Sequence, residues 1–314
     1  MRPAFSVIFL TTLIGAGQGL FIALYVAELG ALLGAWAMPS GPYFALGSAL
    51  SFALLGTGLV ASFFHLGRPE RAWRSAAMWR TSWLSREVIA LPAFMAAVAA
   101  FGLAHYLRGA GDLTLALGAA GLTLALLLFI CTGMVYACIQ FLQEWHTPLT
   151  VINYTLFGCA SGFLLGTAWA AAAAPALVAA MAMWTAAFTL AALVTRAASL
   201  ARNARLRPKS TIQTAIGVKH PRIAQKSEGF MGGSFNTREF FHASTSAWLR
   251  ALKWAFLLLV FPLPLGLLAA GVASSSWPVL ALAFALQYLG LLAERWYFFA
   301  QAKHPQNLYY QAIS

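Results

Sequence analysis

The sequence predicts an all-α, polytopic integral membrane bundle of eight transmembrane helices, and three observations carry that prediction. Charged residues make up only 9% of the chain against 61% hydrophobic ones, and the mean hydropathy is +0.75. A soluble domain carries roughly a quarter charged residues, so this chain lacks the polar surface that water requires. Its apolar residues run in long continuous stretches rather than alternating. In lipid every backbone polar group must be satisfied internally, and runs of that kind can do so only as helices. The basic residues, finally, gather at one set of helix ends.

A bilayer core needs roughly 20 apolar residues per helix. Eight stretches supply them, at 6–34, 43–65, 82–106, 113–142, 149–172, 175–200, 246–272 and 277–301. The first is too long for the short apolar region of a cleavable leader, and we expect residues 1–314 to form one membrane domain. Turn-like breaks such as Pro39-Ser40-Gly41-Pro42 and Ser274-Ser275-Ser276 separate neighbouring helices. Two connections are longer. Residues 66–81 hold the amphipathic stretch Pro69-Glu70-Arg71-Ala72-Trp73-Arg74, expected to lie along the interface. Residues 201–245 form a polar insertion, the segment suited to docking a soluble partner.

With eight spans, both termini share one side with the loops after helices 2, 4 and 6. That side collects Arg68, Arg71, Arg74 and Arg80, then the basic residues from Arg202 to Arg238. The opposite side offers Arg108, offset by Asp112. Basic residues in short loops mark the cytoplasmic face, so we expect both termini and the large loop to be cytoplasmic. A pI near 10.1 therefore does not point to nucleic acid. The basic residues sit where they hold a bundle against anionic membrane lipid. Arg71, Arg74, Lys219, Arg222 and Arg238, with Trp145 and His146 between helices 4 and 5, are candidates for docking a partner.

Cys131, Cys138 and Cys159 fall inside apolar stretches and form no CxxC pair. We expect buried bystander thiols, with neither a metal nor an iron–sulfur cluster held by this chain. A membrane haem needs two histidines facing each other from helices. His65 is at a helix end, His105 lies near the opposite face, and the other four are in loops or past the last span. No haem is expected.

The densest polar cluster spans the end of helix 2 and the start of helix 3, with His65-Leu66-Gly67-Arg68-Pro69 followed by Ser82-Trp83-Leu84-Ser85-Arg86-Glu87. A helix hairpin brings this histidine and carboxylate to one membrane end. Glu87 lies about a turn inside its helix, where a carboxylate is costly unless paired or hydrogen-bonded. Histidine beside a carboxylate suits proton exchange with a bound molecule near neutral pH. The alternative is a structural ion pair of Glu87 with Arg68 or Arg86. In Gln143-Glu144-Trp145-His146-Thr147-Pro148, proline at a first helical position predicts a helix start. Gln18, within Gly15-Ala16-Gly17-Gln18-Gly19, could bind a ligand carbonyl or bridge two helices. Glu294 is expected to pair near the cytoplasmic end, whereas Glu28 has no evident partner.

The His65–Pro69 and Ser82–Glu87 motifs resemble the membrane anchor of dimethyl sulfoxide reductase, the DmsC family. The run from Tyr136 to Leu149, Tyr-Ala-Cys-Ile-Gln-Phe-Leu-Gln-Glu-Trp-His-Thr-Pro-Leu, is similar to that family's junction between helices 4 and 5. The resemblance covers nearly the whole chain. It implies a three-subunit oxidoreductase in which a molybdopterin catalytic subunit exchanges electrons, through a four-cluster iron–sulfur subunit, with quinone (ubiquinone or menaquinone) held in the anchor. The family's quinol-site histidine and acid match His65 and Glu87. Gln18, Arg68, Ser85 and Arg86 are further candidates for the quinone pocket.

One departure concerns sidedness. The dimethyl sulfoxide reductase partner docks outside the cytoplasm, whereas the basic face here should be cytoplasmic. The loop motif at 229–242, Gly-Phe-Met-Gly-Gly-Ser-Phe-Asn-Thr-Arg-Glu-Phe-Phe-His, is closer to the anchor of the cytoplasmic sulfite-oxidising relatives. That resemblance implies sulfite oxidation with quinone reduction. An anchor oxidising menaquinol for a reductase is the alternative. A secondary transporter, broken at Pro262-Leu263-Pro264, is the remaining class.

Overall fold

The computed structural model describes residues 1–224, 226, 242 and 244–308. Arg238, and with it residues 229–241 of the loop motif, lies outside the described residues.

The chain is all helical, with no strand among the described residues. The helices are α1 (Phe5–Leu32), α2 (Gly41–Phe63), α3 (Trp83–Arg108), α4 (Asp112–Ala137), α5 (Pro148–Ala173) and α6 (Val178–Ala204). The short α7 (Ile212–Ile216), α8 (Ser246–Val260), α9 (Pro262–Ala273) and α10 (Trp277–Ala300) follow. Among the described residues, eight spans are long and apolar enough to cross a membrane: α1 to α6, α8 and α9 taken together, and α10.

Helices α1 and α5 form the centre. The first packs against α2, α4, α5 and α10, and the second against α1, α4, α6 and α10. Glycine sets their crossing. A Cβ placed on Gly19 would fall on the Gly158 carbonyl, and one on Gly162 would fall on the Gly19 backbone. Two helices thus meet backbone to backbone, the close approach that small residues permit where no hydrophobic force drives association. Side-chain amides and hydroxyls then tie helices together. Gln18 Nε2 donates to the Ala125 carbonyl of α4 at 2.8 Å, and Ser51 Oγ of α2 donates to the Gly17 carbonyl at 2.8 Å.

The seventh span breaks at Phe261, between α8 and α9. Pro264 has no N–H to offer the Val260 carbonyl four residues back. Gln287 Nε2 of α10 donates to that carbonyl instead, at 3.2 Å. The proline break is a kink satisfied by the neighbouring helix.

Two expectations need correction at α4. The stretch expected to run helical to residue 142 ends at Ala137, because His146 Nδ1 donates to the Ala137 carbonyl at 2.6 Å and closes the helix end. The chain then makes a series of tight turns through Leu142 and Trp145 before α5. Cys138, expected to be buried, is therefore an exposed residue at the end of α4, while Cys131 and Cys159 are buried. Thr147 caps α5 and Pro148 opens it, as the sequence predicts.

Between α2 and α3, a 3-10 segment at Pro69–Ala76 presents Trp73, Arg71 and Arg74 on the surface. Its Glu70 and Arg71 form a surface pair at 3.8 Å.

Candidate functional site

The α2–α3 hairpin delivers His65 and Glu87 to one cavity of about 300 Å³, at the lower end of the range for small-molecule sites. Val7 and Leu10 of α1, Leu84 of α3, and Val135 and Tyr136 of α4 supply much of its remaining wall. Met1, Arg2 and Thr11 also line it. A largely apolar slot with an acid, an imidazole and a guanidinium in its wall is suited to a small, largely apolar molecule carrying polar oxygens.

Glu87 reaches the cavity because Ser82 caps α3 by accepting from the Ser85 N–H, which starts the helix one turn before the carboxylate. Its Oε1 accepts a hydrogen bond from Thr132 Oγ1 of α4 at 2.6 Å. No cation lies within ion-pair distance of it among the described residues. The alternative of a structural ion pair with Arg68 or Arg86 is thereby corrected. Arg86 turns back instead, donating through Nε to the Trp79 carbonyl at 2.9 Å and through Nη2 to the Arg80 carbonyl at 2.8 Å. Its guanidinium sits 4.2 Å from the centre of the Trp83 ring. Arg68 is exposed at the start of the 3-10 segment.

His65 lies just past the end of α2, on the exposed side of the cavity. Partial desolvation there pushes its pKa below the ordinary histidine value. The imidazole is thus neutral around pH 7, able to donate through one ring nitrogen and accept through the other.

Other expected residues scatter. Gln18 is 1% exposed and spends its amide N–H on Ala125, so it serves as the interhelical bridge rather than a cavity residue. Ser85 is buried at the start of α3. Trp145, expected on a docking face, is 3% exposed: its indole N–H donates to the Phe298 carbonyl at 3.0 Å, and it lines the cavity. Burial of so large a ring inside the bundle removes it from the docking surface. His146, Lys219 and Arg222 are exposed, as are Arg71 and Arg74.

Sequence reasoning did not single out Thr132 or Tyr136. They stand one turn apart on α4, Thr132 reaching Glu87 of α3 and Tyr136 stacking on Tyr154 of α5. A threonine and a tyrosine four residues apart at the end of an otherwise apolar helix were the available signal.

Two further acid clusters emerge. Glu28, without an evident partner in the sequence, accepts from Thr114 Oγ1 and lies 3.3 Å from His105 Nε2, with both side chains fully buried. Phe44 stacks on that imidazole at 4.2 Å and Phe101 meets it edge-on at 4.6 Å. Glu294 pairs with Arg196 of α6 at 2.8 Å and with its neighbour Arg295 at 3.5 Å. No group of three or more histidine, cysteine, aspartate or glutamate side chains able to hold a metal comes together among the described residues.

The described residues form a membrane bundle with an acid–histidine cavity beside a basic hairpin. The chain matches the family model of the DMSO reductase anchor subunit (DmsC) over residues 1–303, and it belongs to that family. It is 53% identical over 327 residues to a subunit of the sulfite dehydrogenase of Allochromatium vinosum, with both chains covered in full.

Proposed function

We propose that this chain anchors a molybdenum oxidoreductase in the bacterial inner membrane and exchanges electrons with quinone in the His65–Glu87 cavity, the complex oxidising sulfite. The placement of His65 and Glu87 on one cavity of about 300 Å³ carries the reading. Reduction of a quinone takes two electrons and two protons. In this reading the electrons come from the iron–sulfur subunit, itself supplied by the molybdopterin subunit. This chain contributes the apolar slot and the groups that hold and move protons.

Glu87, oriented by Thr132 from α4, is one proton-exchange group, and His65 at the exposed wall is the other. The neutral imidazole can hydrogen-bond a quinone oxygen without bringing a buried charge. The basic surface of Arg71, Arg74, Lys219 and Arg222, together with Arg238, docks the iron–sulfur subunit, and the same charges favour a cytoplasmic face for both termini. The sulfite substrate rests on the identity with the Allochromatium vinosum protein.

The test is purification of the tagged chain from native membranes. Molybdenum and iron are expected in fixed ratio with two further polypeptides, and sulfite should reduce a short-tailed ubiquinone analogue. A complex that turns over quinone normally with both His65→Ala and Glu87→Gln would falsify the site.

A further inference from the structure

Beside the quinone cavity lies a second, smaller chamber of about 10 Å³, walled by Glu144, Asn153, Arg196, Ser199, Glu294 and Arg295. That volume is the threshold at which a polar site holds a single water. Its walls are wired together: Asn153 Nδ2 donates to Ser199 Oγ at 2.8 Å, and Thr195 Oγ1 donates to Asn153 Oδ1 at 2.8 Å. Some capacity is left over. Arg196 Nε and Glu294 Oε2 are buried without a hydrogen-bond partner among the described residues. Groups of this kind ordinarily find water. Glu144 belongs to the connection between α4 and α5, at the basic end of the bundle, and is partly exposed.

A stacked pair of tyrosines links the walls of the two spaces. Tyr136 lines the quinone cavity and stacks on Tyr154 with ring centres 5.4 Å apart. Arg295, whose guanidinium lies 3.6 Å from the centre of the Tyr154 ring, lines the chamber. Thr132 and Tyr136 stand one turn apart on α4, and Thr132 is the group that holds Glu87. Tyr154 Oη is buried with no hydrogen-bond partner among the described residues, a group that ordinarily finds water. From the basic surface inward the polar groups succeed one another in a file as Glu144, Glu294 with its two arginines, Tyr154, Tyr136 and Glu87, with water needed to join the hydroxyls.

We propose that this file is the proton route of the quinone cavity, with the Glu294 chamber as its water-bearing relay and the Tyr154–Tyr136 pair as its gate. The proposal rests on the quinone reading above. For each quinone reduced, two electrons arrive from the iron–sulfur partner and two protons from water at the basic face. Both quinone carbonyl oxygens become hydroxyls. At least one of the two protons passes along the file to Glu87, which hands it on and is reprotonated through Tyr136. Glu294, Tyr154 and the two arginines touch no substrate and act as relay residues.

The test uses the assembled complex in native membranes, with sulfite as donor and a short-tailed ubiquinone analogue as acceptor. Tyr154→Phe keeps the ring stack and removes one hydroxyl. It should lower kcat roughly tenfold, a modest share of what positioned proton transfer supplies, leave the quinone KM unchanged and enlarge the solvent deuterium isotope effect. Reduction of the iron–sulfur clusters by sulfite should proceed at the normal rate. Glu294→Gln should act alike; because it leaves Arg196 buried without its counter-charge and could block assembly, Tyr154→Phe is decisive. Unchanged kcat and isotope effect in Tyr154→Phe, while Glu87→Gln slows turnover, overturns the route and spares the quinone site. Normal turnover in Tyr154→Phe, Glu87→Gln and His65→Ala together overturns both.

Discussion

Among the described residues two acid–histidine pairs use opposite ends of α3, and they are built to different ends. Glu28 and His105 lie 3.3 Å apart, both fully buried, with Thr114 on the acid and Phe44 and Phe101 against the imidazole. His65 and Glu87 do not touch. They form separate parts of the wall of one cavity, with the carboxylate held by Thr132 alone among its described partners and the imidazole exposed. Identical residue types thus act as a structural clasp when they are packed against each other and as a site when space is left between them. Burial of the partners is the difference. The closed pair is shut away by packing, with both side chains fully buried, whereas the open pair faces space that a third molecule can enter.

The comparison can be broken at several points. The largest effect is expected from Glu28→Ala. Removing one partner of a buried pair leaves the other unsatisfied and costs about 3–5 kcal/mol. The chain should lose thermal stability in detergent by that order, while whatever complex survives binds a quinone analogue with normal affinity. Lost quinone affinity at normal stability would mean that the clasp is a second site.

Glu87→Gln should show the opposite profile. Quinone-linked turnover is expected to fall about a hundredfold, in the range for loss of a proton-transfer group, with unfolding temperature and subunit stoichiometry unchanged. A destabilised chain would instead make Glu87 another clasp.

Thr132→Val sharpens the contrast further. It removes the hydroxyl that orients Glu87, a hydrogen bond worth about 1–1.5 kcal/mol. Turnover should drop about fivefold to tenfold, read from kcat at saturating quinone, with stability held.

The smallest effect concerns pH. Desolvation holds the His65 pKa below the ordinary histidine value, so its neutral form persists further into the acid range than that of a free imidazole. Quinone-analogue affinity should be flat from pH 7 to pH 8 (roughly the range above an ordinary histidine pKa) and change only as pH falls through the lowered value. Affinity that instead titrates through the neutral range would place the protonation elsewhere.

Much of this was legible before any tertiary contact. Composition and apolar run length alone determined the eight spans, because lipid requires internally satisfied backbone and continuous apolar runs of this length achieve it as helices. Local chemistry determined the Thr147–Pro148 helix start and the clustering of basic residues at one set of ends. The hairpin connecting α2 to α3 made it foreseeable that His65 and Glu87 would share an end of the bundle. Which partners those groups find could not be read in the same way, since contacts between distant helices depend on rotation about each helix axis, and apolar stretches with small hydrophobic asymmetry do not encode it.

Only the tertiary structure, accordingly, turned Trp145 inward, ended α4 at Ala137 under the His146 ring, gave Glu28 its histidine and set Thr132 against Glu87. It also decided that Gln18 bridges helices and that Gln287 repairs the proline break. The physical reason is common to all of them. In a membrane the solvent tells a sequence to be helical, but side chains on an all-apolar helix acquire their meaning from the particular neighbour they face.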